Sequence, residues 1–298
     1  MGRIEEGITK NMAIPANLKT LLMRCEKHFC QVFGVNAYRK LRGISNSSDT
    51  TLDEILLIVD LLLPEKRKGL MVDVGAHHGE SFRFFAFSGW DVIAFEPDPS
   101  PRKHAMIRAR STSRVRELRC AVSDRAGQSV PFYISTESTG VSSLTPFLES
   151  HKAAGEVVIT DTLANCLAEH ARGARVDFLK IDTEGHDLFV LKGIDWSQPN
   201  QCPRTIICEF EDRKTKPLGY DFREMAEFLA AKGYVVWVSE WLPITKYGAR
   251  HTWRSLKKWP CSLADSDGWG NLLAVEQPLS KRAEQEWKRF SAVSKGGV

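Results

Sequence analysis

The sequence predicts an α/β protein with a mainly parallel sheet covered by helices on both faces. Short apolar runs rich in β-formers alternate with segments of helical period along most of the chain. The clearest unit, residues 70–97, reads strand, glycine turn, helix, strand, acid. Its strands, Leu70–Val74 and Val92–Phe95, are short apolar runs, as expected for strands buried on both faces.

Composition sets the bounds. At 298 residues, 43% hydrophobic and 26% charged, the chain can bury one large α/β core and carry appendages. A net charge of +4 is too mild to imply a nucleic-acid partner. The seven cysteines have no zinc-ligand spacing and read as free thiols of a cytoplasmic protein. The N-terminal MGRIEEGITKN lacks the apolar core of a signal peptide. The most apolar stretch, Ile55–Leu63, contains Asp60 and is half a membrane span, so it reads as a core helix.

Residues 1–45 carry eight Lys or Arg against three Glu. Leu18, Leu21, Leu22, Cys25, Phe29 and Val32 form an apolar stripe at helical spacing. This basic amphipathic extension, residues 1–50, has three uses open to it: packing on the main domain, a homodimer contact, or a peripheral foot on the inner, anionic membrane face. The linker 43–51 supplies caps for a helix over Leu52–Leu63, which Pro64 stops. The main domain then runs over 51–278. Strands follow at Leu70–Val74, Val92–Phe95, Val115–Val122, Ser129–Ile134, Glu156–Ile159, Val176–Ile181, Thr205–Phe210, Val235–Ser239 and Leu272–Val275. Helices start near Ser81, Pro99, Thr162, Asp187 and Phe222. The Ser/Thr-rich stretch 135–151 reads as a loop near the ligand mouth. The basic tail, 279–298, is helical in pattern and expected to be peripheral.

The turn Asp73-Val-Gly75-Ala-His-His-Gly79 is neither G-x-G-x-x-G nor a Walker phosphate loop. Its looser D-x-G-x-x-x-G form, with Glu96 21 residues after Gly75, is the pattern of S-adenosylmethionine sites. Gly75 permits a tight turn and Gly79 a close backbone approach at a helix N-terminus. Asp73 can hold turn amides or a ligand ammonium. Asp124, at the tip of the third strand, is a candidate for the adenine amine. The plainer reading of these residues is an ordinary tight turn and solvated acids.

A second group lies at Asp182-Thr-Glu-Gly-His-Asp187, at the carboxyl end of Val176–Ile181. Open α/β sheets bind ligands at that edge. His186 titrates near neutrality and is a candidate base, with Asp182 or Glu184 to orient it or take the role. The plainer reading makes His186 a surface residue and Asp182 a helix cap. Asp182 with Glu209, Glu211 or Asp212 can also present carboxylates to a divalent metal, though no tight ligand spacing requires one. The insert 241–268 contains Lys246, Arg250, Arg254, Lys257 and Lys258 interleaved with Trp241, Tyr247, Trp253 and Trp259. Aromatic faces stack on sugars and cations hold anions, so Tyr247, Arg250, His251, Trp253 and Arg254 are candidate acceptor-binding residues. The alternative is a packed, solvated insert.

DVGAHHGES, AFEPDP, AVSDRAG and VDFLKIDTEGHDLFVLKG, in this order and spacing, resemble the FkbM-type S-adenosylmethionine-dependent methyltransferases over roughly residues 70–240. His77 stands where the family turn usually has Asn, and Thr183 where the later motif usually has Val. The resemblance implies a Rossmann-like, seven-stranded class I methyltransferase fold with a reversed last strand, here Leu272–Val275. It implies methyl transfer to a hydroxyl, often on a sugar or a secondary metabolite. Asp73, Gly75, Ala76, His77, Gly79 and Ser81 would then cradle the methionine end, Glu96 the ribose and Asp124 the adenine. The acceptor is a sugar or glycan, or else a polyketide or phenol. A non-catalytic scaffold that keeps the pocket is the third reading.

Overall fold

The computed structural model describes residues 26, 28–30, 35–42, 51–64, 68–102, 114–135, 142–147, 151–245 and 251–291. The stripe residues Leu18–Cys25 and Val32 lie outside these, as do Tyr247 and Arg250 of the insert.

Ahead of the sheet, the described residues include the helices α1 (Val35–Arg42) and α2 (Glu54–Leu62). Asp53 caps α2 by accepting from Leu56 N at 3.3 Å. The chain continues through β1 (Leu70–Val74), α3 (Arg83–Phe87), β2 (Asp91–Phe95), β3 (Val115–Leu118), β4 (Ala121–Ser123), β5 (Ser129–Ser135) and β6 (His151–Thr162). Then come α4 (Leu163–His170), β7 (Phe178–Ile181), α5 (Asp187–Lys192), β8 (Thr205–Glu211), α6 (Asp212–Thr215) and α7 (Phe222–Ala231). The last elements are β9 (Val235–Trp241), β10 (Trp253–Lys258), β11 (Trp269–Val275) and α8 (Gln277–Ser291).

The main sheet runs in the order β10-β9-β11-β8-β7-β1-β2-β3. β3, β2, β1, β7 and β8 pair in parallel. β11 is antiparallel to both β8 and β9, with Leu272 opposite Cys208 and Val238. This is the expected class I arrangement with its reversed strand, corrected from seven strands to eight. The additional strand, β10, comes from the insert and pairs antiparallel with β9 at the sheet edge.

Alternate residues of each strand feed two cores, as the two-residue strand period requires. Met71, Phe178, Ile207 and Leu273 pack beneath α1, α2, α3 and α8. Leu70, Val72, Leu179, Ile206 and Leu272 pack against α4, α5 and α7. The expected third strand, Val115–Val122, divides at residues 119–120. Its second half leaves the main sheet and joins β6 and β5 in a separate three-stranded sheet. β6 is also longer than the expected Glu156–Ile159.

One appendage departs from the sequence expectation, and the insert takes its packed alternative. The tail is not peripheral, because Leu279, Ala283, Trp287 and Phe290 of α8 are all buried in the first core. Its apolar side faces the sheet while its many charged residues face water. Trp253 of the insert is likewise 3% exposed, with its ring edge-on to Phe290 at 6.3 Å. The described part of the N-terminal extension packs on the domain: Tyr38 sits against Phe84, and Arg39 pairs with Asp60 at 2.5 Å. No helix among the described residues is long and apolar enough to cross a membrane.

Trp287 is 1% exposed and stands edge-on to Trp237 at 4.9 Å. Replacing it with Ala removes a large buried ring that the surrounding helices cannot collapse to fill. Trp287→Ala is expected to lower unfolding free energy by about 3–5 kcal/mol in urea titration. A change of under about 1 kcal/mol would show that α8 is dispensable to the core.

Candidate active site

The site is assembled at the carboxyl ends of β1, β2 and β7, and its centre is a lysine. Asp73 and Lys180 are register partners on adjacent parallel strands. Lys180 Nζ donates to the Gly75 carbonyl at 2.7 Å and lies 3.2 Å from Asp182 Oδ2 and 3.5 Å from Asp73 Oδ1. Burial works against its charge, but Asp182 and Asp73 outweigh that and hold its pKa above the ordinary value. Ser81 Oγ donates to Asp73 Oδ2. Asp73 is fully buried, so it organises the turn from beneath rather than facing the cavity.

The turn is held from three sides. Gly75 N and Ala76 N both donate to the Phe95 carbonyl at 3.0 Å. Gly75 has φ +78°, and a Cβ there would lie 1.8 Å from the Asp182 carbonyl oxygen, so the position admits glycine only. His77 also has a positive φ, 46°, and its N–H donates to Glu96 Oε2 at 2.8 Å. The left-handed backbone accounts for the usual Asn here, and His is among the other residues that tolerate it. The helix expected to start near Ser81 begins two residues later, at Arg83. Ser81 is drawn to Asp73 and Phe82 is buried at 1% exposure, which leaves the intervening residues in an irregular turn.

Glu96 closes the other side. Oε2 accepts from His77 and Oε1 from Asp98 N at 2.8 Å. Burial raises its pKa to about 7 against those two amides.

The resulting cavity has two lobes. The inner one, about 200 Å³, has apolar walls at Phe95, Pro97, Phe132 and Leu144, with Glu96 and Glu184 at its polar end. The outer one, about 390 Å³, is bordered by Asp53, His78, Glu80, Ser81 and Arg83. Gly75, His77 and Asp182 line both. Ser142, Ser143 and Leu144 line the inner lobe. Ser142 Oγ reaches Asp98 Oδ2 at 3.3 Å and Ser143 Oγ reaches the Glu184 carbonyl at 3.1 Å, so this stretch ties the β2 end to the β7 end.

Below Asp182 lies an acidic group with its own cation. Lys214 Nζ is 2.5 Å from Glu184, 3.1 Å from Glu209 and 2.7 Å from Glu211, and the residue is almost fully buried. Asp182, Glu184 and Glu209 converge within 4.8 Å; of the partners that the metal reading offers Asp182, Glu209 is in this group and Glu211 and Asp212 are not. Lys214 already supplies a positive charge among them, while Asp212 turns away to accept from Phe222 N at 2.9 Å. Environment separates the carboxyls. Burial raises Glu184 to about 7 and Glu209 well above its ordinary range, against the pull of Lys214. Burial would raise Asp182 too, but Lys180 and a hydrogen bond from Glu209 hold it below the ordinary value. Glu184, which lines the inner lobe, also adopts a left-handed backbone, φ 56°.

Other sequence candidates stand apart. His186 Nε2 is 2.9 Å from Ser123 Oγ, its ring stacks on Phe189 at 4.5 Å, and its Nδ1 is buried with no hydrogen-bond partner among the described residues. Burial lowers its pKa to about 4, so the ring is neutral. His186 and Asp124 line a neighbouring groove rather than either lobe. His251 lies edge-on to Trp269 at 5.1 Å, Arg254 is exposed on the edge strand, and Trp253 is in the core. Sequence reasoning missed Lys180 and Lys214. Lys180 left a signal, since a lone lysine within the apolar strand FLKI must find carboxylates when buried. Lys214 left none.

A family model described as the Methyltransferase FkbM domain matches residues 73–236, more than half of the chain. No curated protein matches the sequence. Among solved structures, the precorrin-6y C5,15-methyltransferase of Geobacter metallireducens is similar at 12% identity, over 78% of this chain and 94% of that one, with a TM-score of 0.38. A TehB-like SAM-dependent methyltransferase of Corynebacterium glutamicum is 10% identical over 81% and 97%, TM-score 0.38. TrmK of M. capricolum, solved with S-adenosyl-homocysteine, is 8% identical over 76% and 69%, TM-score 0.38. Likenesses this distant carry no argument about the site.

Two predictions come from this geometry. Lys180→Met leaves Asp73 and Asp182 without their shared cation, so stability is expected to fall by about 3–5 kcal/mol in denaturant titration. An unchanged midpoint would show that the lysine is not the keystone. The Glu96 carboxyl is raised from 4.5 to about 7 in the fold, so its contribution is full below pH 4.5 and lost as pH rises through 7. Unfolding free energy of Glu96→Gln should therefore decline less over that interval than wild type does, by roughly 3 kcal/mol. Parallel pH profiles would contradict the burial of this group.

Proposed function

The chain belongs to the Methyltransferase FkbM domain family, and from that premise we propose that it is an S-adenosylmethionine-dependent O-methyltransferase acting on a hydroxyl of a sugar or sugar-containing acceptor. The observation that carries this reading is the two-lobed cavity with Asp182 at its junction and Glu184 in its inner wall. The residues present fit the cofactor. The inner lobe offers apolar walls to an adenine ring. Glu96 spends one lone pair of each oxygen on a backbone amide and keeps others for ribose hydroxyls. Asp182, held ionised, suits the positive charge of the methionine end.

S-adenosylmethionine supplies an electrophilic methyl group on a positively charged sulfur. The protein must hold the acceptor oxygen in line and receive its proton. Carboxyls whose environments drive their pKa values apart point to divided roles. Glu184, near 7, is suited to take the proton; Asp182 is suited to bind and orient. Lys214 fixes the Glu184 carboxylate at 2.5 Å and balances its charge after the proton leaves for solvent. His186, neutral and bonded to Ser123, props the end of β4 from the neighbouring groove. The outer lobe sets the charged Asp53, Glu80 and Arg83 beside His78, partners for the hydroxyls of a polyol that a flat apolar phenol would leave unpaired.

The test is methyl transfer from labelled cofactor to panels of sugars, nucleotide sugars, lipid-linked sugars and phenols. Transfer to a sugar hydroxyl is expected, with kcat/KM rising with pH to a plateau above about 7. Glu184→Gln should lose this turnover by 10²-fold or more, on the order expected for a general base, while still binding S-adenosylhomocysteine. Transfer to phenols alone, or to no acceptor, would overturn the sugar reading.

A further inference from the structure

α8 packs Leu279, Ala283, Trp287 and Phe290 into the first core. At about 3.6 residues per turn, Lys281, Gln285 and Lys288 fall on the opposite side of the helix, and all three are exposed. Beside them, between α8 and β10, runs a groove of about 630 Å³, larger than either lobe of the active site and sharing no residue with them. Lys257, Lys258, Lys281 and Lys288 line it with Glu284. Lys257 is matched by Glu240 at 2.9 Å and Lys258 by Glu284 at 3.6 Å. Among the described residues, Lys281 and Lys288 have no acid in ion-pair contact. β10 and α8 both lie outside the family match over 73–236, so this groove is an addition to the methyltransferase domain.

A second basic element stands on the same side of the sheet. Tyr38 of α1 belongs to the same core as α8. Asp60 of α2 joins the two helices: its carboxylate pairs with Arg39, and its carbonyl accepts from Arg282 at 3.2 Å. The last turn of α1, Arg39-Lys40-Leu41-Arg42, holds no acid. Leu41 is 69% exposed, between exposed Lys40 and Arg42. We propose that this helical side, α8 with the end of α1, docks the protein on a membrane of anionic phospholipid. Lys281 and Lys288 meet lipid phosphates, and Leu41 enters the boundary between headgroups and acyl chains. Docking does not depend on which acceptor the active site takes.

Spacing and composition select a lipid surface over a soluble anion. Lys281 and Lys288 are two turns apart, about 10 Å along the helix. That is too far to clamp one phosphate and suits two separate headgroups. Ammonium groups without a counter-charge are drawn to an anionic surface, and the gain grows with each cation brought near it. An exposed leucine gains nothing from a soluble anion. At a lipid surface its side chain is buried while the flanking Lys40 and Arg42 keep their charges among the headgroups.

The experiment is co-sedimentation of the full-length protein with phosphatidylcholine vesicles, with and without phosphatidylglycerol. Binding to the anionic vesicles alone is expected, weakening as salt rises. Lys281→Gln combined with Lys288→Gln should lower the partition coefficient about 30-fold, and Leu41→Ser about fivefold. Lys192→Gln combined with Lys232→Gln removes the same charge from the other helical layer, at the ends of α5 and α7, and should leave binding within about twofold. All five side chains are exposed, so each variant should keep the wild-type melting temperature. Equal binding to neutral and anionic vesicles, binding to neither, or equal loss in the two lysine pairs would overturn the proposal. Capture of soluble tripolyphosphate without vesicle binding would overturn it too, in favour of a soluble anion.

Discussion

The buried ammonium of Lys180 holds the site together. It joins the Gly75 carbonyl, Asp73 and Asp182, which belong to two different strands and the turn between sheet and helix. A charge removed from water persists only where opposite charge and hydrogen bonds surround it. Each partner is thereby fixed as well. Asp73 accepts from Ser81, which pulls the chain after Gly79 out of the helix. Gly75 is pressed so closely on the Asp182 carbonyl that no side chain fits between them. Glu96 completes the arrangement from the β2 side by gripping His77 and Asp98 amides.

From this keystone follows the division among the carboxyls. Asp182 sits beside Lys180 and stays ionised, whereas Glu184 and Glu209 share Lys214 in a more enclosed place and titrate higher. Two buried lysines thus hold one acid below its ordinary pKa and leave another near 7. Chemistry that needs both an anchor for positive charge and an acceptor for a proton finds them adjacent.

The parts outside the family match extend the same sheet. β10 adds an edge strand, and α8 lays Leu279, Ala283, Trp287 and Phe290 over the core on the side shared with α2. The aromatic residues of the insert divide accordingly. Trp253 turned inward to the core, because alternation along an edge strand sends every second side chain there. Trp241 and Trp269 lie with their rings tilted, 5.6 Å apart, at the strand ends. An aromatic-rich basic stretch therefore served packing at least as much as recognition.

The sequence by itself determined the layered α/β architecture, the order of the parallel strands' elements, the glycine turn and the acid opposite it. These are local: strand period, turn chemistry and helix caps are written within a few residues, and Gly75, Glu96 and the Asp182–Glu184 run were legible for that reason. Tertiary structure alone decided what depends on contacts between distant segments. The division of the third strand at Cys120, the eighth strand, the burial of α8, the placing of His186 in a side groove and the capture of Glu184 by Lys214 are of this kind. Burial and charge pairing between residues thirty or more positions apart set those outcomes, and no pattern within a single stretch of sequence encodes them.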